Sequence, residues 1–229
     1  MKIINVEKEI GDFFLETGVV QIEKGCIHGF IGGNGSGKTT LAKLIMGILE
    51  PDRGRIDYGD LTMRDITMTS QRPYLLHDTV YENIIYPLKI RKITPDKKSI
   101  LHMLEVCGMG GKEKQSARSL SSGERQKVSM LRAMCFHPGL VIIDETLSNL
   151  DPDSVDFFEK QILRMNQEEG STWILISHRL SHIRKMCGMV HALDKGKIVQ
   201  SGRTEDVLFH SPVPEVQRFL KGELVSFPK

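Results

Sequence analysis

Three short stretches of this sequence carry residue types that could handle a phosphate group. Gly32, Gly33, Asn34, Gly35, Ser36, Gly37, Lys38, Thr39 and Thr40 follow one another. Within them, Gly32-x4-Gly37-Lys38-Thr39 is a phosphate-loop pattern. Glycines let the backbone curl so that successive N–H groups point inward at phosphate oxygens. A helix starting near Lys38 adds its positive end. Lys38 then reaches the outer phosphates of a nucleotide, and Thr39 offers its hydroxyl to Mg²⁺. The plain alternative is a glycine-rich turn without a ligand. A chance match to the pattern is on the order of one in a hundred.

The second stretch is Leu140–Glu145 (L-V-I-I-D-E), an apolar strand that delivers Asp144 and Glu145 to its carboxyl end. Ligands sit there in open α/β sheets. Asp144 can hold Mg²⁺ through water, and Glu145 can polarise an attacking water. Without the phosphate loop, two surface acids would be the better reading. The third stretch is Leu120–Gln126 (L-S-S-G-E-R-Q). Ser121 can cap the helix that follows. The Ser121 and Ser122 hydroxyls, the Gly123 backbone and the helix N-terminus make a second anion site. A simple helix cap is the alternative.

The elements that must position these residues are legible from periodicity. Val19, Val20 and Ile22 lead through a turn at Lys24–Gly25 into a buried strand, Cys26–Ile31. A helix is predicted over Thr39–Leu49, with Leu41, Leu44, Ile45 and Ile48 on one face, ended by Pro51 and Gly54. Strands follow at Arg55–Tyr58 and Ile66–Ser70. Residues 72–137 turn helical (Val80–Leu88, Lys97–Cys107, Ser122–Phe136), and Lys89–Lys98 reads as a solvated loop. Alternation then resumes with Val141–Asp144, Val155–Met165, Thr172–Ser177, Leu180–Met186 and Met189–Leu193. Lys195–Gly196 is a hairpin turn into Ile198–Gln200, and short helices are expected after residue 203. The expected class is α/β, a P-loop NTPase core with a mainly parallel sheet. An N-terminal antiparallel β-subdomain precedes it. The expected division is one domain over 1–229, its nucleotide-binding core spanning 1–71 and 138–229. A helical lobe is inserted at about 72–137.

The 229 residues carry net charge +2 and are 40% hydrophobic. That balance gives no case for a nucleic-acid partner. No apolar run approaches the roughly 20 residues of a membrane span, and the N-terminus has no signal-peptide pattern. The expected location is cytoplasmic, so another chain must supply any span. Cys26, Cys107, Cys135 and Cys187 form no C-x-x-C pair and read as buried reduced thiols, and the eleven methionines as core filler.

The order of the three stretches resembles the ATP-binding cassette (ABC) ATPases, over residues 1 to about 205. The resemblance implies ATP as the nucleotide. It also implies that Ser121–Gly123 serve the ATP held by a second copy, two copies sandwiching two ATPs head to tail. Gln71 matches the family's Q-loop glutamine, which senses Mg²⁺ and the attacking water and passes that state to the helical lobe. Ser148–Asp151 (S-N-L-D) matches the loop that crosses to the partner site. His178 matches the histidine that contacts the γ-phosphate. Taken singly, these are an exposed glutamine, an N-cap at Asp151 before Pro152 and a lone histidine.

Three positions depart from the family pattern. Ser122 stands where glycine is usual and Thr146 where proline is usual; both are expected to be tolerated. Ile10 stands where an aromatic usually stacks on adenine. Phe13 or Phe14 could replace it, and looser base selectivity is expected. The function implied first is the ATPase subunit of a membrane transporter, peripheral on the cytoplasmic face and working through separate permease chains. The alternative is a soluble ABC ATPase of DNA repair, chromosome organisation or translation. Repair and chromosome members carry long coiled coils where only 83 positions (121 − 38) separate Lys38 from Ser121. Translation members hold two cassettes. A kinase or switch GTPase has no use for Leu120–Gln126. Import is favoured, since a separate ATPase chain without fused spans is common among importers, although the C-terminal regulatory domain of some importer ATPases is not evident and Ile176–Leu180 (I-S-H-R-L) resembles exporters. The stretch G-D-F-F-L loosely resembles molybdate- and tungstate-type uptake ATPases.

Overall fold

A computed structural model describes residues 1–225. Ten strands form one sheet among these residues: β1 (Lys2–Ile10), β2 (Phe13–Glu16), β3 (Val19–Gln21), β4 (Ile27–Ile31), β5 (Arg53–Asp57), β6 (Ile66–Thr69), β7 (Leu140–Asp144), β8 (Thr172–Ile176), β9 (Met189–Asp194) and β10 (Lys197–Arg203). The helices are α1 (Lys38–Ile45), α2 (Val80–Arg91), α3 (Lys97–Val106), α4 (Ser122–Met134), α5 (Pro152–Glu169), α6 (Leu180–Met186), α7 (Thr204–Phe209) and α8 (Pro214–Val225).

The sheet order is β3-β1-β2-β10-β9-β4-β8-β7-β6, with β5 paired to β1. The neighbours β9-β4-β8-β7-β6 are parallel. Strands β4, β7 and β8 are buried at every residue, as strands covered on both faces must be. Their alternate residues feed two cores. Leu140 and Ile142 pack with α1 (Leu41, Leu44, Ile45) and with Ile3, Val6 and Leu15 of the antiparallel strands. Val141 and Ile143 face Val128 and Leu131 of α4 and Phe158 and Ile162 of α5. The α/β class, the mainly parallel sheet and the antiparallel N-terminal strands accord with expectation. Between β6 and β7 the chain runs as α2, α3 and α4, with no strand among the described residues.

Three local readings need correction. Helix α1 stops at Ile45 instead of Leu49. Gly47, at φ +66°, turns the chain there, and Ile48 is 62% exposed instead of joining the core. Lys89–Lys98 is a loop only over residues 92–96 and is helical at both ends. Lys89 and Arg91 close α2, while Lys97 and Lys98 open α3 behind an Asp96 side chain that accepts from Lys98 N and Ser99 N. Cys107 and Cys187 are buried, whereas Cys26 and Cys135 are half-buried; all four are free thiols. Among the described residues no helix is long and apolar enough to cross a membrane.

Candidate functional site

The phosphate loop leaves the central strand β4 and enters α1, so the sheet and the helix hold it from both ends. Two of its glycines are dictated by contact. A Cβ on Gly32 (φ +143°) would lie 2.1 Å from the Leu193 carbonyl oxygen. On Gly37 (φ +106°) it would meet Leu15 Cδ1 and Phe13 Cζ at 3.1 Å. Gly33 and Gly35 have open space beside them, which lets a ligand approach the backbone closely. The Lys38 ammonium donates to the carbonyls of Gly32 (2.7 Å) and Gly33 (2.9 Å) and to Ser36 Oγ (3.3 Å). Burial lowers the Lys38 pKa, and the carboxylates of Glu145 and Asp144 oppose that shift.

Strand β7 brings the two acids to this loop. Thr39 Oγ1 donates to Asp144 Oδ2 at 2.8 Å. Burial raises the Asp144 pKa, and the Thr39 hydrogen bond works against the rise. Two hard oxygens from neighbouring elements beside a phosphate-type loop fit Mg²⁺. Glu145 takes the left-handed conformation (φ +54°) and is pinned by its N–H to the Ile176 carbonyl (2.9 Å). A non-glycine residue held there is strained, as residues at functional sites often are. Its Oε1 lies 3.0 Å from His178 Nδ1. Thr146, the departure from proline, is buried, its hydroxyl 2.8 Å from that of Thr69 at the end of β6. The threonine thus links the strands that lead to Gln71 and Glu145.

A cleft of about 840 Å³ collects these groups. Asn34 to Thr40, Lys43, Gln71, Asp144 and Glu145 line it, with Ile10 and Phe13. Gln71 lies two residues past β6 and is exposed. Ser121, Ser122 and Gly123 do not line this cleft. They sit at the start of α4, closed by a reciprocal cap: Ser121 Oγ accepts from Glu124 N (3.3 Å), and Glu124 Oε2 accepts from Ser121 N (2.8 Å). Lys112 pairs with Glu124 and, with the Ser121 bonds, holds that carboxyl near pKa 2. Asp151 is the N-cap of α5, accepting from Ser154 N (2.9 Å), and it pairs with Lys127 Nζ (2.8 Å). A second cavity of about 820 Å³ opens at the other end of the strands, beside Lys24, Asp60, His137 and Glu169. It contains no phosphate loop.

The family model described as ABC transporter matches residues 15–148, more than half of the chain. The chain belongs to the ABC transporter family. This ABC ATPase is 32% identical over 203 residues to the tungstate uptake system ATP-binding protein TupC of Peptoclostridium acidaminophilum. That match covers 86% of the chain and 95% of TupC. It is 33% identical over 217 residues to the methionine import ATP-binding protein MetN of Geobacillus kaustophilus (strain HTA426). Here 88% of the chain spans 64% of the relative, so MetN is the longer protein. Its fold is similar to that of the dimeric ATP-binding cassette MJ0796 in a post-hydrolysis state bound to ADP and Pi. The TM-score is 0.76 at 23% identity, over 89% of this chain and 98% of that one.

Sequence reasoning about this ABC ATPase passed over two side chains. Gln126 donates through Nε2 to the Gln71 carbonyl at 3.1 Å. Lys127 ties α4 to Asp151. Both lie in or beside the Leu120–Gln126 stretch. Their partners are distant in sequence, and periodicity gives no signal for such a contact.

Proposed function

We propose that the cleft binds Mg-ATP and that a head-to-tail pair of these chains hydrolyses it to drive import through a separate permease. The observation that carries this reading is the convergence of the loop Lys38, the Thr39–Asp144 pair and Glu145 on one cleft, with His178 against Glu145 from outside the cleft lining. In this reading the backbone of Gly33 to Lys38 holds the phosphates, and Lys38 trades its carbonyl partners for β- and γ-phosphate oxygens. Thr39, Asp144 and Gln71 would hold Mg²⁺. Mg²⁺, when bound, neutralises charge developing on the phosphate oxygens. Glu145 accepts a proton from the attacking water, and His178 holds Glu145 and reaches the γ-phosphate. Ser121, Ser122 and Gly123 offer a hydroxyl and a helix N-terminus to the nucleotide of the other copy, and Asp151 lies on the loop that meets it.

The helices between β6 and β7 then act as a lobe, at about 72–137, against the core formed by 1–71 and 138–229. A groove between α2 and α4, lined by Leu76, Tyr86, Ile90 and Phe136 with the arginines Arg91 and Arg132, suits an amphipathic segment of a permease. Tyr86 and Ile90 are 43% and 58% exposed there. Import is favoured because the named relatives serve uptake of tungstate and of methionine. Their different cargoes imply that the choice of cargo lies with the other subunits. The complex would place this chain on the cytoplasmic face of the membrane.

Glu145→Gln tests the reading. It removes the proton acceptor while keeping shape, so ATP binding stays and turnover falls by about a hundredfold or more. An ATP-dependent dimer accumulates in size-exclusion chromatography. A variant that hydrolyses normally, or stays monomeric at saturating Mg-ATP, overturns the assignment.

A further inference from the structure

Helix α4 starts at the segment assigned to the partner's nucleotide and runs back along the loop that carries Gln71. Two side chains bind it to that loop. Gln126 donates to the Gln71 carbonyl (3.1 Å), and Arg132 donates to the Tyr74 carbonyl (2.8 Å). A third, Lys127, donates to the Cys107 carbonyl (2.9 Å) and pairs with Asp151 (2.8 Å). Gln126 is 3% exposed, and its Oε1 has no hydrogen-bond partner among the described residues. A buried side-chain amide with an unmet oxygen is costly to keep. An apolar side chain would fill the space without that cost, so the retained bond to Gln71 needs a use.

We propose that Gln126 is a positioning residue for Gln71, tying the glutamine of one nucleotide site to the helix whose first turn serves the other. Gln126 lies five residues from Ser121, about 7.5 Å along the helix. A shift of the Gln71 backbone therefore pulls on the same rigid rod that presents Ser121–Gly123. The hydrogen bond runs to a main-chain oxygen, so it fixes where the loop lies and leaves the Gln71 amide free to meet ligand. Lys127 extends the tie to Asp151. This rests on the roles given above to Gln71 and Ser121–Gly123.

The test is a double-mutant cycle on the full chain, read by steady-state Mg-ATP hydrolysis. Gln126→Leu removes the donor and should lower kcat about tenfold, with KM within about twofold of the parent. In a Gln71→Ala background the same change should cost less than about twofold, because the side chain it positions is already gone. Hydrogen exchange at residues 71–74 should speed up in Gln126→Leu. An equal loss in both backgrounds, or an unchanged kcat, overturns the proposal; a purely structural role would give the equal loss. If Gln126→Leu does not fold, Gln126→Met decides, since it keeps the unbranched shape and lacks the donor. A wild-type chain that neither hydrolyses ATP nor dimerises with it would fail the function reading itself, which separates the two failures.

Discussion

The phosphate-loop cleft and the Ser121–Gly123 segment are both proposed to meet phosphate, yet they are finished to different degrees. In the cleft, residues far apart in sequence are brought to hydrogen-bonding distance: Thr39 meets Asp144 and Glu145 meets His178. The loop's own lysine is held over its glycine carbonyls. Ser121 and Glu124, by contrast, satisfy each other, and Ser121 and Ser122 lie exposed at the start of α4. The difference teaches where catalysis is divided. One region is a nearly complete half-site within the chain, and the other is an exposed helix end that gains meaning only against another surface.

The largest expected effect comes from breaking each half separately. Lys38→Ala and Gly123→Asp should each lower turnover by about a hundredfold or more. The first removes the phosphate cation, and the second places a carboxylate and a side chain where phosphate must approach. Mixed in equal amounts, the two inactive variants should recover about a quarter of the wild-type rate. Half of the dimers are then mixed, and each mixed dimer keeps one intact site in a head-to-tail arrangement. Colourimetric phosphate release measures this directly. No recovery on mixing would place both halves of the site in the same chain.

The comparison also explains what the sequence made legible. Lys38, Thr39, Asp144 and Glu145 could be read as chemistry because strand, loop and helix punctuate them locally. Glycine at 32 and 37 follows from contacts no sequence pattern displays, such as the approach of the Leu193 carbonyl, but the spacing marks it anyway. Gln126 and Lys127 stayed hidden because their partners, Gln71 and Asp151, belong to other elements and meet them only through tertiary packing. The end of α1 was misplaced for a related reason. Its apolar spacing continues to Ile48, while the left-handed Gly47 ends the helix before that residue can be buried. Asp151 took the plainer of its two readings. It caps α5 within the chain, and its Lys127 partner links it to α4.

A middle-sized effect separates the two regions by pH. The strand that feeds the phosphate loop carries His28, buried against His191 of β9, with Nδ1 and Nε2 3.1 Å apart. Burial and then the charge of His28 push the His191 pKa down to about 3, and burial lowers that of His28. Unfolded histidine titrates near 6.5. Their contribution is therefore complete above that value and declines as pH falls below it, by about 1.4 kcal/mol per pH unit for His191. At pH 5 the melting temperature should drop by roughly 4–8 °C relative to neutral pH. The cap on α4 is unchanged over this window. The Glu124 carboxyl, lowered to about 2, stays ionised, so its contribution is lost only as pH falls below the ordinary carboxylate range. Hydrogen exchange between pH 7 and pH 5, corrected for intrinsic rates, should then loosen β4 and β9 more than α4. Equal loosening of both, or a melting temperature unchanged at pH 5, breaks the distinction.

The smallest effect concerns the base, at the edge of the cleft. Ile10 and Phe13 pair across the β1–β2 hairpin and both line the cleft. Phe13 packs close enough to the phosphate loop that a Cβ on Gly37 would touch it. An aliphatic and an aromatic surface can cover the face of a purine, but neither reads the groups on its edge. Adenine and guanine differ only on that edge. The kcat/KM values for ATP and GTP should therefore agree within about threefold. Phe13→Leu should weaken both nucleotides alike, by about three- to tenfold, through loss of stacking. A preference for ATP above about tenfold would mean that a hydrogen-bonding group reaches the base. Because the β1–β2 hairpin carries none beside Ile10 and Phe13 within the cleft lining, that group would have to come from another wall of the cleft, where Lys43 and Arg72 lie, or from a second copy.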